Sequence, residues 1–109
     1  MSEQSLGEFE ELVLLVVAAN NSEAYGVLIL EQLSAKLDKK LNISAIHVVL
    51  KRMENKGYVE SSFGGITNER GGRRKKYYSI TSLGKRVLDR QYELRTSIYQ
   101  QIPKISFGQ

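Results

Sequence analysis

Ser44-Ala45-Ile46-His47-Val48-Val49-Leu50-Lys51-Arg52-Met53-Glu54-Asn55-Lys56-Gly57-Tyr58-Val59-Glu60-Ser61-Ser62-Phe63 changes its period partway along. In its first half Ile46, Val49, Leu50 and Met53 recur at i, i+3, i+4 and i+7, the stripe of a helix lying on a core, with Ser44 placed to cap it. Gly57 is a suitable helix stop. Beyond it the rhythm shortens to two, with Val59, Ser61 and Phe63 on one side of a strand. The stretch predicts a helix that turns directly into a strand.

Working outward, Tyr77 to Thr81 reads as the partner strand, and Gly64 to Lys76 as the loop between the two. Upstream, Ser5-Leu6-Gly7-Glu8 has the spacing of a capping box, and the apolar residues after it predict helix one over about Leu6 to Ala19. Asn20-Asn21-Ser22 forms a polar turn that can cap helix two, about Ala24 to Leu37, with Leu30, Leu33 and Leu37 on one face. Downstream, Thr81 or Ser82 can cap a last helix reaching about Ile102, since Pro103 cannot continue it. The order is three helices, two strands and a helix. This is a mainly α, winged helix-turn-helix arrangement: a three-helix core, a two-stranded β wing and a long C-terminal helix.

The last helix carries two adjoining apolar stripes: Leu83, Val87, Leu94 and Ile98 beside Leu88, Tyr92, Tyr99 and Ile102. The second has the alternating four-three spacing of a coiled-coil seam. One stripe is expected to face the domain, and the other, Leu88, Tyr92, Tyr99 and Ile102, a second copy of the chain. On this reading residues 1–81 bind and residues 82–109 dimerise, within one structural unit that suits the chain's 109 residues.

Charge is segregated. The net charge is +4, but Met1 to Glu31 holds six acids and no Lys or Arg, so the remainder carries all 16 cations against six acids, a net +10. Such a segment attracts a polyanion, because each cation placed at a phosphate releases condensed counterions. Double-stranded DNA is the leading partner; an anionic membrane surface is second.

At 100° per residue, the core stripe of helix three leaves Ser44, Val48, Lys51 and Asn55 on the opposite face, with His47 and Arg52 flanking it. Lys, Arg and Asn bond to base edges, and a small apolar side chain meets a thymine methyl, a role that suits Val48. The competing reading is an ordinary amphipathic helix, in which Arg52 pairs with Glu54 or another acid. In the loop, Arg70, Arg73, Arg74, Lys75 and Lys76 lie among four glycines. Glycine permits close backbone approach, and the cations then reach phosphates or a minor groove. The plain alternative is a solvated charge run.

Other chemistry lacks its components. There is no cysteine, so disulfides, thiolate metal sites and Cys nucleophiles are excluded. His47 is the sole histidine, which leaves a metal site or a His-dependent nucleophile without partners. The glycine pairs fit no nucleotide-binding fingerprint. Glu10-Glu11 reads as a charged helix face without a pocket. No cofactor and no metal are expected, and no enzymatic activity. The apolar run Leu12 to Ala19 is far shorter than the roughly 20 residues of a membrane span, and acids precede it, so neither anchor nor leader is expected and the cytoplasm is the expected location. A rival from another class is a winged-helix module that binds acidic proteins in place of specific DNA.

Over about Leu6 to Ile102 the sequence resembles the PadR family of bacterial transcriptional regulators. The resemblance is carried by Ala24-Tyr25-Gly26, by Leu50-Lys51-Arg52-Met53-Glu54 followed by Lys56-Gly57-Tyr58-Val59, and by Gly72-Arg73-Arg74-Lys75-Lys76-Tyr77-Tyr78-Ser79-Ile80-Thr81 running into Gly84. The last is the most specific. The resemblance implies a homodimer that sets helix three and the wing of each protomer on half of a palindromic operator and represses by occlusion. It is similar to the compact branch with a single final helix. In some relatives a small planar hydrophobic effector at the dimer centre releases DNA, which makes Tyr92 and Tyr99 the candidates for contact with one. The chain departs from the family in His47, where many relatives have tyrosine, and in its lack of tryptophan, the ring some drug-responsive relatives use.

Overall fold

A computed structural model describes residues 6–66 and 74–108, the side chains of residues 65, 66 and 74 apart. The elements run α1 (Glu8–Ala19), α2 (Gly26–Leu37), α3 (Ile43–Asn55), β1 (Val59–Ile66), β2 (Arg74–Ile80) and α4 (Ser82–Tyr99). The expected order holds, and with it the winged-helix fold. α1 touches α2, α3, α4 and β2, and its Val13, Leu14 and Val17 are fully enclosed. Ile29 and Leu33 of α2 and Ile46, Leu50 and Met53 of α3 close over them.

The junction between α3 and β1 forms as its sequence dictates. Lys56 ends the helix and Gly57 takes a φ of 81°, a left-handed conformation that costs glycine little. Gly57 N–H then donates to the Glu54 carbonyl (3.0 Å) and Tyr58 N–H to the Met53 carbonyl (2.9 Å), the paired bonds of a Schellman stop. From Val59 the chain pairs antiparallel with β2, Val59 opposite Ile80 through Phe63 opposite Lys76. The register then slips by one residue, so that Ile66 faces Arg74. Both strands therefore extend into the segment expected to be loop, because glycines at 64 and 65 admit a bulge that prolongs the pairing.

Helix starts differ from the expectation. α1 begins at Glu8, where the Gly7 N–H donates to the Glu10 side chain (3.1 Å), two residues past the expected start; Ser5 lies outside the described residues. α2 begins at Gly26 because Ala24 is taken by the sheet: the Tyr78 N–H donates to its carbonyl (2.8 Å), and the Ser22 N–H donates to the Tyr78 carbonyl (3.1 Å). The cap of α3 is Asn42, whose side chain accepts from the backbone N–H of Ser44 (2.8 Å), so Ser44 is freed from the capping role expected of it. Thr81 caps α4 as expected, accepting from the Gly84 N–H (3.0 Å) while its hydroxyl donates to the Gly57 carbonyl (2.6 Å). α4 stops at Tyr99, short of Ile102.

The two apolar stripes of α4 divide along the helix as well as around it. In its first half Gly84, Val87, Leu88 and Gln91 are buried. Leu88 is 6% exposed and belongs to the core, so it is not part of a partner-facing surface. Beyond Gln91 both stripes are bare: Tyr92, Leu94, Ile98, Tyr99 and Ile102 are all more than half exposed. Gln91, buried at this point of departure, accepts from the Leu6 N–H and donates to Glu11 (3.0 Å), so its polar atoms have partners.

Candidate nucleic-acid interface

The buried stripe of α3 fixes what the helix presents outward. Ser44, His47, Val48, Lys51, Arg52 and Asn55 are all exposed, as the helical angle requires. Val48 is 55% exposed although it is aliphatic. The Ser44 hydroxyl donates to Asn42 Oδ1 (2.8 Å), which leaves its oxygen to act as an acceptor. Arg52 departs from this group: its guanidinium donates to Glu10 Oε2 of α1 (2.8 Å), with Lys56 near the same carboxylate (3.9 Å). It pairs with an acid other than Glu54 and helps tie α3 to α1. These contacts, the Arg52 hydrogen bond foremost, hold the Glu10 carboxyl below its ordinary pKa.

β2 brings part of the wing to the same side. Lys75 stands over the Tyr25 ring, its Nζ 4.1 Å from the centroid, and Tyr25 meets Tyr77 edge to face at 5.8 Å. The cation is thereby held at the start of α2 by an aromatic face. Lys76 Nζ lies 3.7 Å from Glu54 Oε1. Between these elements runs an open groove of about 380 Å³. His47, Lys51 and Glu54 line it from α3, Lys75 and Lys76 from β2, and Gly26 from the start of α2. Gly26 leaves room for the His47 ring: a Cβ would stand 2.8 Å from it, so the ring would have to shift. Buried Tyr78 also borders it, and burial, with Glu54 nearby, raises the pKa of its hydroxyl.

Of the α3 residues expected to read bases, His47 and Lys51 share one groove with the wing cations Lys75 and Lys76, whereas Ser44, Val48 and Asn55 are exposed on the same helix but do not line it. Arg74 opens β2; Arg70 and Arg73 lie outside the described residues. Sequence reasoning missed Tyr25, Glu54 and Glu10. Tyr25 meets Lys75 only through a contact fifty residues apart in the chain, which no local pattern reveals. Among the described residues no group of acids and histidine is placed to hold a metal ion, and no helix is long and apolar enough to cross a membrane.

A three-helix core with a basic hairpin beside an exposed α3 defines a winged-helix, DNA-binding class of protein. The model of the PadR-like transcriptional regulator family matches residues 13–90, and the chain belongs to that family. Its fold is similar to that of a PadR-like transcription factor from Bacteroides fragilis (TM-score 0.72, 17% identity, 84% of each chain covered). It is also similar to a PadR family transcription regulator from Clostridium difficile (TM-score 0.69, 26% identity, 86% of this chain and 93% of that one). An uncharacterized protein from Lysinibacillus sphaericus is 31% identical over 84 residues, 75% of this chain and 72% of that protein. The chain is thus a DNA-binding transcriptional regulator, from a family of regulators and not of enzymes.

Proposed function

We propose that the chain acts as a homodimeric repressor that occupies a palindromic operator, with α3 in the major groove and the wing on the flanking backbone. The observation that carries this reading is the shared groove: Lys51 and His47 of α3 face the same opening as Lys75 of β2. Ser44, His47, Lys51 and Asn55 are placed for base edges and Val48 for a thymine methyl, while Arg70, Arg73, Arg74 and Lys75 are assigned to phosphates or the minor groove. Arg52, held by Glu10, is assigned to orienting α3.

Residues 1–81 are assigned to DNA and residues 82–109 to assembly, with the buried first half of α4 joining them. A second copy would cover Tyr92, Tyr99 and Ile102, together with Leu94 and Ile98, which the original stripe left out. Two such protomers would relate their α3 helices by a two-fold axis, and palindromic half-sites mirror that symmetry. Tyr92 and Tyr99 are also the rings that a planar hydrophobic effector would meet at the dimer centre. Selection of bound fragments from a randomised duplex pool tests the proposal. Enrichment of an inverted repeat, bound by two chains, is expected; enrichment of an asymmetric site bound by one chain would overturn the dimeric reading, and no enrichment the sequence-specific one.

A further inference from the structure

Among the described residues that line the groove between α3 and the wing, Glu54 is the only acid. In a surface built for a polyanion, a carboxylate at this place opposes binding by simple Coulomb repulsion. Its contacts account for its presence. Oε2 accepts a hydrogen bond from the Ser61 hydroxyl of β1 at 2.6 Å, and Oε1 stands 3.7 Å from Lys76 Nζ of β2. One side chain of α3 therefore touches both strands of the wing. Each oxygen faces a partner within the protein, so the carboxylate is poorly placed to accept from a cytosine amino group as well. Lys76, its side chain 40% exposed, is engaged within the protein too: its ammonium lies near the Phe63 and Tyr78 rings (5.9 and 5.8 Å) besides Glu54.

We propose that Glu54 is a positioning residue, a strut that sets the angle of the wing against α3 and thereby the discrimination between DNA sequences, with Ser61 and Lys76 as its anchors. The proposal rests on the DNA-binding reading above and reassigns Lys76 from phosphate contact to scaffold. A wing fixed by the strut holds Lys75 at one distance from Lys51, so that phosphate and base contacts are satisfied together only on a suitable duplex. A wing released from it keeps its cations, and so keeps its sequence-independent attraction, but loses the fixed spacing.

The test compares full-length wild type with Glu54→Ala, Glu54→Gln and Ser61→Ala, titrated by fluorescence anisotropy against a duplex enriched in the selection and against a scrambled duplex of equal length. The readout is the ratio of the two dissociation constants. Loss of folded protein weakens both affinities alike and leaves the ratio unmoved, so a merely structural role does not register. The ratio is expected to fall about tenfold in Glu54→Ala, which removes both contacts, and about threefold in Ser61→Ala, which removes one and leaves the ion pair with Lys76. Glu54→Gln, which can still accept from Ser61, falls between wild type and Glu54→Ala. Binding of Glu54→Ala to the scrambled duplex is expected to be equal to or tighter than that of wild type, since an anion has been removed. Amide exchange adds a reading without DNA: the amides of residues 60–63 and 75–78 should exchange faster in Glu54→Ala while those of α1 are unchanged. Unchanged ratios with unchanged exchange overturn the strut and leave DNA binding standing. A wild type that binds neither duplex overturns the DNA reading itself, and one that binds both equally overturns its sequence-specific part.

Discussion

Replacing Gly84 by alanine pits two well-understood effects against each other. Gly84 lies in the first turn of α4, its N–H held by the Thr81 cap, with its α-carbon against the carbonyl of Tyr58, which also accepts from the Thr81 N–H (3.0 Å). A Cβ there would lie 2.2 Å from the Tyr58 oxygen and 2.9 Å from Ile80 Cγ1. A comfortable carbon–oxygen contact needs about 3.3 Å, so α4 and the start of β1 must separate by roughly 1 Å. The obstacle is backbone pinned by the Schellman stop on one side and the sheet on the other, so it yields only by breaking those bonds. Overpacking of this kind costs about 3 kcal/mol at the upper end of its usual range. Alanine recovers about 1 kcal/mol of helix propensity over glycine. The expected net loss is about 2 kcal/mol, which in a domain near 100 residues lowers Tm by roughly 10 °C. Urea titration followed by circular dichroism measures it directly. Propensity alone predicts the opposite sign, so a Gly84→Ala variant as stable as wild type or more so would refute the close-packing argument. Gly26→Ala is the control: its new Cβ meets the movable His47 ring, and a much smaller loss is expected.

Further outcomes follow from the same contacts. Because Glu10 has a folded-state pKa depressed below its ordinary value of 4.5, its contribution is present above that value and is lost as pH falls through the lower one. Urea midpoints taken from pH 6 to pH 3 should therefore decline more steeply in wild type than in Glu10→Gln; parallel declines would contradict the Arg52 pairing. Lys51→Ala is expected to erode discrimination between the selected and scrambled duplexes by roughly tenfold, the low end for one base contact. An equal loss on both duplexes would instead make Lys51 a backbone contact. Sedimentation at micromolar concentration should give the mass of two chains for wild type and of one for Tyr92→Glu/Tyr99→Glu. A wild type of single-chain mass would remove the exposed half of α4 from any role in assembly.

Much of the fold was legible because it is locally determined. The stripe Ile46, Val49, Leu50 and Met53 is buried as its spacing required, Gly57 ends α3, and Thr81 caps α4. What escaped was set by partners distant in the chain. Ala24 fits a helical pattern but is bridged to Tyr78, and long-range pairing overrides local preference there. Leu88 has the spacing of a seam residue; periodicity identifies a helix face but not how far along the helix its own domain extends. Glu10 and Glu11, which read as a plain charged face, grip different elements, Glu10 the Arg52 of α3 and Glu11 the Gln91 and Arg95 of α4. At the site, the outward face of α3 could be computed from one angle per residue, whereas Tyr25 under Lys75 and Glu54 between the strands required the folded chain.

The central claim, that α3 and the wing together form a DNA-binding surface, is tested most directly by the salt dependence of binding to the selected duplex. For wild type, the logarithm of the association constant should fall linearly with the logarithm of salt concentration, with a slope near −0.9 for each phosphate neutralised. Removing the wing cations in Arg73→Ala/Arg74→Ala/Lys75→Ala should make that slope shallower by about two to three. A slope unchanged by the triple substitution would contradict the account.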